Sequence, residues 1–134
     1  MSTRNSFIKD FRGETIGNVD SNSSAGERFQ NDVLRPILKL QNDLLIEMSR
    51  NYFAKNKVDF QTFSAEKKAQ AIENAIQKDI KFRNSIKGVV LGLFTIEEYQ
   101  TYITDSSLLN KRMMTMVIER LKSQMQLFEE NQKY

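Results

Sequence analysis

One stretch in the second half of the chain constrains the fold more than any other. Residues 86–94 read Ile-Lys-Gly-Val-Val-Leu-Gly-Leu-Phe, and Lys87 carries the only polar side chain among them. A helix that is apolar on every side belongs in the interior of its domain. The stretch is also far shorter than the roughly 20 apolar residues that span a bilayer. We therefore expect it at the centre of a folded domain, and we predict no membrane span.

Two glycines in this stretch, Gly88 and Gly92, lie four residues apart and so share one face of a helix. Small residues at this spacing remove side-chain bulk and let a second helix approach closely. The crossing helix can belong to the same fold or to another molecule, and the sequence leaves both readings open. We predict a close helix crossing at Gly88 and Gly92.

The apolar residues elsewhere recur at helical spacing, and no stretch alternates with period two. Ser24 and Glu27 have the spacing of a capping box, which predicts a helix from there to about Lys55. Pro36 lies inside this pattern and either kinks the helix or marks its true start.

Ser64, Asp79 and Thr95 are predicted to cap later helices, Thr95 with Glu98 in a second capping box. The loop over 56–63 is expected to pack its apolar side chains against the helices, and these are Val58, Phe60 and Phe63. Residues 65–77 and 80–94 form either one helix or two. The sequence predicts an all-α fold, a compact bundle of four or five helices.

Residues 1–26 differ from the rest of the chain, because they are rich in Ser, Asn and Gly and have no sustained apolar period. We predict a disordered, flexible N-terminal tail over 1–26 and a single helical domain over 27–134. Phe7, Ile8 and Phe11 either form a short docking motif or make no contacts of consequence. We accordingly expect that deleting residues 1–23 leaves stability nearly unchanged.

Two residue types are missing: the chain has neither cysteine nor histidine. Their absence excludes disulfides, thiolate metal sites, imidazole metal ligands and any Ser-His or Cys-His nucleophile pair. The lack of cysteine fits a reducing compartment, so we expect a cytoplasmic protein. We predict no catalytic residue, no metal and no cofactor, and we do not expect an enzyme.

The charge is unevenly distributed. The formal net charge is +3, and residues 78–87 alone carry four cations against the one anion, Asp79. A second basic group follows at the start of the last predicted helix. Together these groups predict an anion-binding surface for phosphate or nucleic acid, unless their charges are solvated or paired with nearby carboxylates. The candidate anion-binding residues are Lys78, Lys81, Arg83, Lys87, Lys111 and Arg112.

Several segments resemble a family of short, helical bacterial proteins that have no established function. They are Leu34-Arg-Pro-Ile-Leu-Lys-Leu-Gln-Asn-Asp43, Ile72-Glu-Asn-Ala-Ile-Gln-Lys-Asp79, Phe82-Arg-Asn84, Gly92-Leu-Phe-Thr95, Glu98-Tyr-Gln-Thr-Tyr102 and Leu109-Asn-Lys-Arg-Met113. Some such sequences carry a glyoxalase label. Glyoxalases use histidine metal ligands, and this chain has none. The resemblance therefore implies a cytoplasmic helical protein and identifies no catalytic residue.

These observations favour a non-enzymatic helical binding or regulatory module, which self-associates or docks a protein partner. The alternative is a protein that binds nucleic acid or phosphate through the basic segments 78–87 and 110–112. A glyoxalase-type enzyme is the least supported reading. The sequence specifies neither the partner, the oligomeric state nor any small ligand.

Overall fold

The fold is given by a computed structural model, which describes residues 3–13 and 24–128. Every regular element within those residues is helical, so the predicted all-α class is confirmed. The number of α-helical segments exceeds the four or five predicted, because a helix forms at Thr3–Arg12 in the predicted tail and because a π-helical stretch and Gln41 divide the helix predicted up to Lys55 into three. The α-helices are α1 (Thr3–Arg12), α2 (Ala25–Phe29), α3 (Arg35–Leu40), α4 (Asn42–Lys55), α5 (Ala65–Lys78), α6 (Ile80–Leu91), α7 (Ile96–Thr104) and α8 (Ser106–Lys122).

The prediction of a disordered N-terminal tail is wrong for α1. Asn5 and Ile8 of this helix are only 2% and 6% exposed. The sequence pattern missed the helix because its packed face is largely polar and gives no apolar period. The remainder of the predicted tail, residues 1–2 and 14–23, lies outside the described residues. With α1 packed in this way, the structure predicts that deleting residues 1–23 lowers stability, contrary to the expectation from sequence.

Two arginines of α1 bind the backbone where α6 ends. Arg4 donates from Nη1 to the carbonyl oxygen of Phe94 at 2.6 Å and from Nη2 to that of Gly92 at 3.0 Å. Arg12 donates from Nη1 to the carbonyl oxygen of Leu93 at 3.3 Å. These three residues form the turn between α6 and α7, where no regular helix pairs their carbonyl groups. The arginines of α1 therefore supply hydrogen-bond donors to the backbone of this turn.

α1 also contributes to the start of α7. The predicted capping box is present: Thr95 and Glu98 exchange hydrogen bonds between side chain and backbone. The Glu98 carboxylate also forms a two-point ion pair with Arg12, in which Nη2 lies 2.9 Å from Oε2. Asn5 accepts a hydrogen bond from the backbone N–H of Ile96 at 3.0 Å. The polar side chains of α1 thus join two helix ends, and we call this set of contacts the α1 clasp.

Pro36 lies in the first turn of α3, as expected if it marks a helix start, but the helical stretch as a whole begins before it. A π-helical stretch, Gln30–Leu34, precedes it and joins α2 to α3 without a gap. Proline has no N–H, so the carbonyl of Asp32 loses its usual partner four residues on. Arg12 replaces that partner, with Nη2 3.3 Å from the Asp32 oxygen. A true break comes later, at Gln41, whose side chain donates to the carbonyl oxygen of Val89 at 3.2 Å.

The contacts divide the chain into two compact units, described here separately. Unit 1 comprises Met1–Gln41 and Lys87–Met113, and unit 2 comprises Asn42–Ile86 and Met114–Tyr134. The single domain over residues 27–134 stays a prediction. In unit 1 the rings of Phe29 and Phe94 meet edge to face, with centroids 5.5 Å apart. The side chains that are almost fully buried around them are Leu34, Ile37, Leu38, Val90 and Met113.

Unit 2 is built around three aromatic rings. The ring of Phe60 stacks on Phe53 at 4.8 Å between centroids and on Phe128 at 5.1 Å. Phe60 comes from the connection between α4 and α5, so the prediction that this loop folds its aromatic residues onto the helices is confirmed for Phe60, which is 4% exposed. The aliphatic side chains that are almost fully buried in this unit are Leu45, Ile46, Ile72, Ile76, Ile86, Val117 and Leu121.

Residues 65–94 form two helices and not one, because Asp79 has an extended backbone and separates α5 from α6. The central apolar stretch is buried along one line only, at Ile86, Val90 and Phe94. Its opposite face is exposed and carries glycines. The expectation that no face meets water is therefore wrong, because glycine presents no apolar side chain to the solvent.

Candidate functional site

The predicted close crossing at Gly88 and Gly92 is not found within the described residues. A Cβ atom added to Gly88 would meet no atom within 4 Å. One added to Gly92 would approach only carbonyls of its own helix, the nearest at 3.3 Å. Both glycines are exposed, so no second helix lies over them in this part of the chain. A crossing with another molecule stays a prediction.

The basic residues at the junction of α5 and α6 fall into two groups, two exposed lysines and one arginine that is hydrogen-bonded within the protein. Lys78 and Lys81 flank Asp79 and line one open groove of about 630 Å³. Their side chains are exposed and form no hydrogen bond or salt bridge with a described residue. Arg83, in contrast, donates from Nη1 to the carbonyl oxygen of Gln77 at 3.1 Å. The arginine therefore helps to cap α5, and the two lysines stay available.

In unit 1 the predicted basic residues also differ, since the arginine has a hydrogen-bond partner within the protein. Arg112 donates from Nη1 to Oε1 of Gln30 at 2.9 Å. Its guanidinium also lies against Gly26, where an added Cβ would come within 2.9 Å of the Arg112 Nε. Lys111 is exposed and Lys87 is half-buried. Of the six predicted residues, the structure brings Lys78 and Lys81 to one groove and uses both arginines inside the protein.

Sequence reasoning missed a polar pair beside these lysines, formed by Tyr52 of α4 and Asp79. The Tyr52 hydroxyl donates to Oδ2 of Asp79 at 2.9 Å, and the backbone N–H of Phe82 donates to Oδ1 at 3.1 Å. The Tyr52 ring stacks on Phe82 with centroids 4.2 Å apart. No spacing rule links Tyr52 to Asp79, because they belong to different helices. The one usable signal was the position of Asp79 as a helix cap.

This pair is not set up for acid–base chemistry near neutral pH. The hydrogen bonds from the Phe82 N–H and then from the Tyr52 hydroxyl hold the pKa of Asp79 below its usual value. Burial and then the hydrogen bond to Asp79 raise the pKa of Tyr52 above its usual value. The stability that Asp79 contributes is thus present at neutral pH and is lost as the pH falls through its lowered pKa. The pair is a fixed structural contact.

Unit 1 exposes apolar side chains on α7. Ile96, Tyr99 and Ile103 are 47%, 47% and 56% exposed. Their spacing of three and four residues places them on one face of the helix. We call this face the α7 stripe. An amphipathic helix normally turns such a face towards a core, and here the face is open.

α1 adds an aromatic pair in the same unit. Phe7 and Phe11 are 66% and 54% exposed, and their rings stack with centroids 6.0 Å apart. The sequence left open whether Phe7, Ile8 and Phe11 form a docking motif. Ile8 packs inward, while the two phenylalanines stay exposed. The α1 clasp holds the helix in place, so the aromatic pair is presented on a fixed element.

No known protein family, no curated protein and no solved structure matches this chain. Among residues 3–13 and 24–128, no helix has both the length and the apolar character needed to cross a membrane. The same residues contain no grouping of three or more acidic side chains that can hold a metal ion. Functional inference for this chain therefore depends on its own surfaces.

Proposed function

We propose that this chain is a non-enzymatic helical module that binds protein, either a second copy of itself or a different partner, through unit 1. The observation that carries this proposal is the α7 stripe, three large apolar side chains exposed on one helix face. Contiguous exposed apolar surface on a folded protein marks interaction sites. The aromatic pair of α1 supports the same conclusion, since aromatic residues are enriched in protein interfaces.

The amount of exposed apolar surface also supports a protein partner. A large apolar side chain presents on the order of 200 Å² when fully exposed. At the exposures given above, the α7 stripe and the aromatic pair together offer roughly 500 Å². A stable complex buries about 800 Å² on each partner. The α7 stripe alone, at roughly 300 Å², therefore supplies more than a third of what one partner buries.

Nucleic-acid binding through the predicted basic residues is less well supported. Arg83 and Arg112 each donate from Nη1 within the protein, to Gln77 and Gln30, which limits their freedom to turn towards a phosphate. The remaining four are lysines. A glyoxalase-type activity gains no support from the site geometry. The cytoplasmic location stays a prediction.

The α7 stripe is tested by comparing Ile103→Glu with Leu44→Glu. Leu44 lies on α4 of unit 2 and is 47% exposed, so its substitution adds the same charge to a similarly exposed apolar position outside the stripe. Sedimentation velocity over a wide concentration range measures self-association. Affinity capture of the full chain, with the two variants in parallel, measures binding of other proteins.

We expect a self-associating species, or specific captured proteins, that Leu44→Glu retains and Ile103→Glu loses. Circular dichroism of both variants establishes that each one is folded. The proposal is wrong if the parent is a monomer at every concentration and captures nothing that Ile103→Glu loses. It is equally wrong if both substitutions reduce binding to the same extent.

A further inference from the structure

Unit 2 contains a second, independent feature, an elongated cavity of about 500 Å³ between α4 and the start of α6. This volume is within the usual range of small-molecule sites, which is about 300–1,000 Å³. We call the cavity the α4–α6 trough. It shares no residue with the protein-binding surface of unit 1. Its lining residues are Met48, Asn51, Tyr52, Lys55, Asn56, Asp79, Lys81, Phe82 and Ser85.

The aromatic part of the trough is held rigidly. Tyr52 stacks on Phe82, with 26° between the ring planes, and Phe82 is 9% exposed. The hydroxyl of Tyr52 is anchored on Asp79, which in turn accepts the backbone N–H of Phe82. Each group therefore fixes the next. An apolar surface that is ordered before binding costs a ligand little reorganisation.

The charged end of the trough is formed by Lys55 and Lys81. Lys55 is the last residue of α4 and Lys81 the second of α6, and the Tyr52–Asp79 hydrogen bond joins these two helix ends. Neither lysine side chain forms a hydrogen bond or salt bridge with a described residue. Both oxygens of Asp79 already accept hydrogen bonds. The trough thus has two ammonium groups against one carboxylate, a net positive charge, and besides the hydrogen bond from the Phe82 N–H the charge of Lys81 also helps to lower the pKa of Asp79.

The side chains away from this end are of a different kind. Met48 lies one helical turn before Tyr52 on α4, and its flexible thioether adapts to apolar groups of different shapes. Ser85 donates its hydroxyl proton to the carbonyl of Lys81 at 3.1 Å, which leaves the oxygen as an acceptor. The trough therefore combines two lysines with an apolar lining of Met48, Tyr52 and Phe82, and its remaining side chains are polar.

We propose that the α4–α6 trough binds a small organic anion, a carboxylate or phosphate attached to an apolar or aromatic group. The anionic group lies between Lys55 and Lys81, and the apolar group lies along Tyr52 and Met48. Of the basic residues predicted from sequence, only Lys81 takes part. Lys55 joins it because the fold brings the end of α4 to the start of α6.

The proposal is tested by amide NMR titration of the full chain with four probes. Phenyl phosphate and benzoate combine an aromatic ring with an anion, and they separate the phosphate and carboxylate forms of the ligand. Inorganic phosphate has the anion alone, and benzyl alcohol has the ring without charge. We expect saturable shifts confined to residues 48–56 and 79–85 with at least one of the first two probes. The last two should bind about tenfold more weakly.

Substitutions of single lysines test whether Lys55 and Lys81 bind the anionic group of the ligand. Lys55→Met and Lys81→Met should each weaken binding by about tenfold, which corresponds to the loss of one charge-assisted hydrogen bond. Lys78→Met is the matched control, because Lys78 is equally exposed and flanks Asp79 but does not line the trough. Its effect should stay within about twofold, since a solvent-exposed charge outside the site is largely screened. The amide spectra of the variants also verify that each is folded.

Three results would overturn the assignment. The first is the absence of a saturable shift with either aromatic anion at about 10 mM, a concentration at which even weak sites fill. The second is equal binding of benzyl alcohol, which would show that the lysines contribute nothing. The third is a loss with Lys78→Met as large as that with Lys81→Met, which would show general attraction to positive charge.

Discussion

Units 1 and 2 each hold a short segment against the helices around it, and they do it by different means. Unit 1 attaches α1 through the α1 clasp, in which Arg4, Asn5 and Arg12 bind the ends of two other helices. Unit 2 attaches the loop after α4 through stacked rings, with Phe60 between Phe53 and Phe128. The first attachment uses a few directional polar contacts, and the second uses buried area.

The difference shows why only one of the two attachments was predictable. Aromatic residues between two helices indicate by composition alone that they will be buried. A polar attachment depends on which backbone groups are left without partners elsewhere in the fold. The two attachments should also fail differently, since rings respond to lost volume and the clasp responds to the loss of single donor atoms.

The largest effect is expected from Phe53→Ala in unit 2. Phe53 is 4% exposed and contacts the rings of Tyr52, Phe60 and Phe128. Removing a buried phenylalanine costs about 3–5 kcal/mol through lost burial and the cavity left behind. Urea unfolding followed by circular dichroism measures this change in the free energy of unfolding.

Phe63→Ala is the matched control for this substitution. Phe63 lies in the loop that contributes Phe60, but it is only half-buried, and its ring centroid is 6.3 Å from that of Phe60. It should cost clearly less than Phe53→Ala. Equal costs for the two would show that the loop is not held by the three-ring stack.

A smaller loss is expected from Arg12→Met in the α1 clasp. The side chain of Arg12 is 7% exposed and its partner Glu98 is 18% exposed. Methionine keeps an unbranched apolar side chain in place of the arginine stem but removes every donor, including the one to the Asp32 carbonyl. Loss of a partly buried, charge-assisted pair should cost about 2–3 kcal/mol in urea unfolding.

Two further substitutions on α1 and α7 sharpen the test. Lys9→Met changes an exposed residue of α1 and should have almost no effect. Glu98→Gln in the Arg12→Met background should cost less than it does in the parent protein, because the pair is already broken. A stability loss from Arg12→Met no larger than that from Lys9→Met would show that the clasp does not hold α1.

The smallest effect, and one of opposite sign, is expected from Gly88→Ala. Gly88 is an exposed position inside α6 and belongs to neither attachment. An alanine there should raise the free energy of unfolding by about 0.5–1 kcal/mol, because it is the better helix former. Gly92→Ala should gain less, since its Cβ would lie 3.3 Å from the Gly88 carbonyl oxygen. A lower thermal midpoint for Gly88→Ala would indicate a helix crossing from another molecule.

The sequence by itself determined the helical class and most helix starts. Ser64, Asp79 and Thr95 were expected as caps, and each accepts the predicted backbone N–H. Such signals act within one helical turn, so they are the same in any tertiary arrangement. The burial of Ile86, Val90 and Phe94 followed from the apolar composition of residues 86–94, although composition did not show that the opposite face would be exposed.

Only the tertiary structure decided which polar and basic side chains are available. Arg83 and Arg112 are equivalent to the lysines in the sequence, but they are used within the fold, because carbonyl and amide acceptors happen to lie within their reach. Lys55 and Lys81 meet at one trough because α4 and α6 stack through Tyr52 and Phe82. Partnerships of this kind depend on distances between helices, and a one-dimensional pattern of residues does not contain those distances.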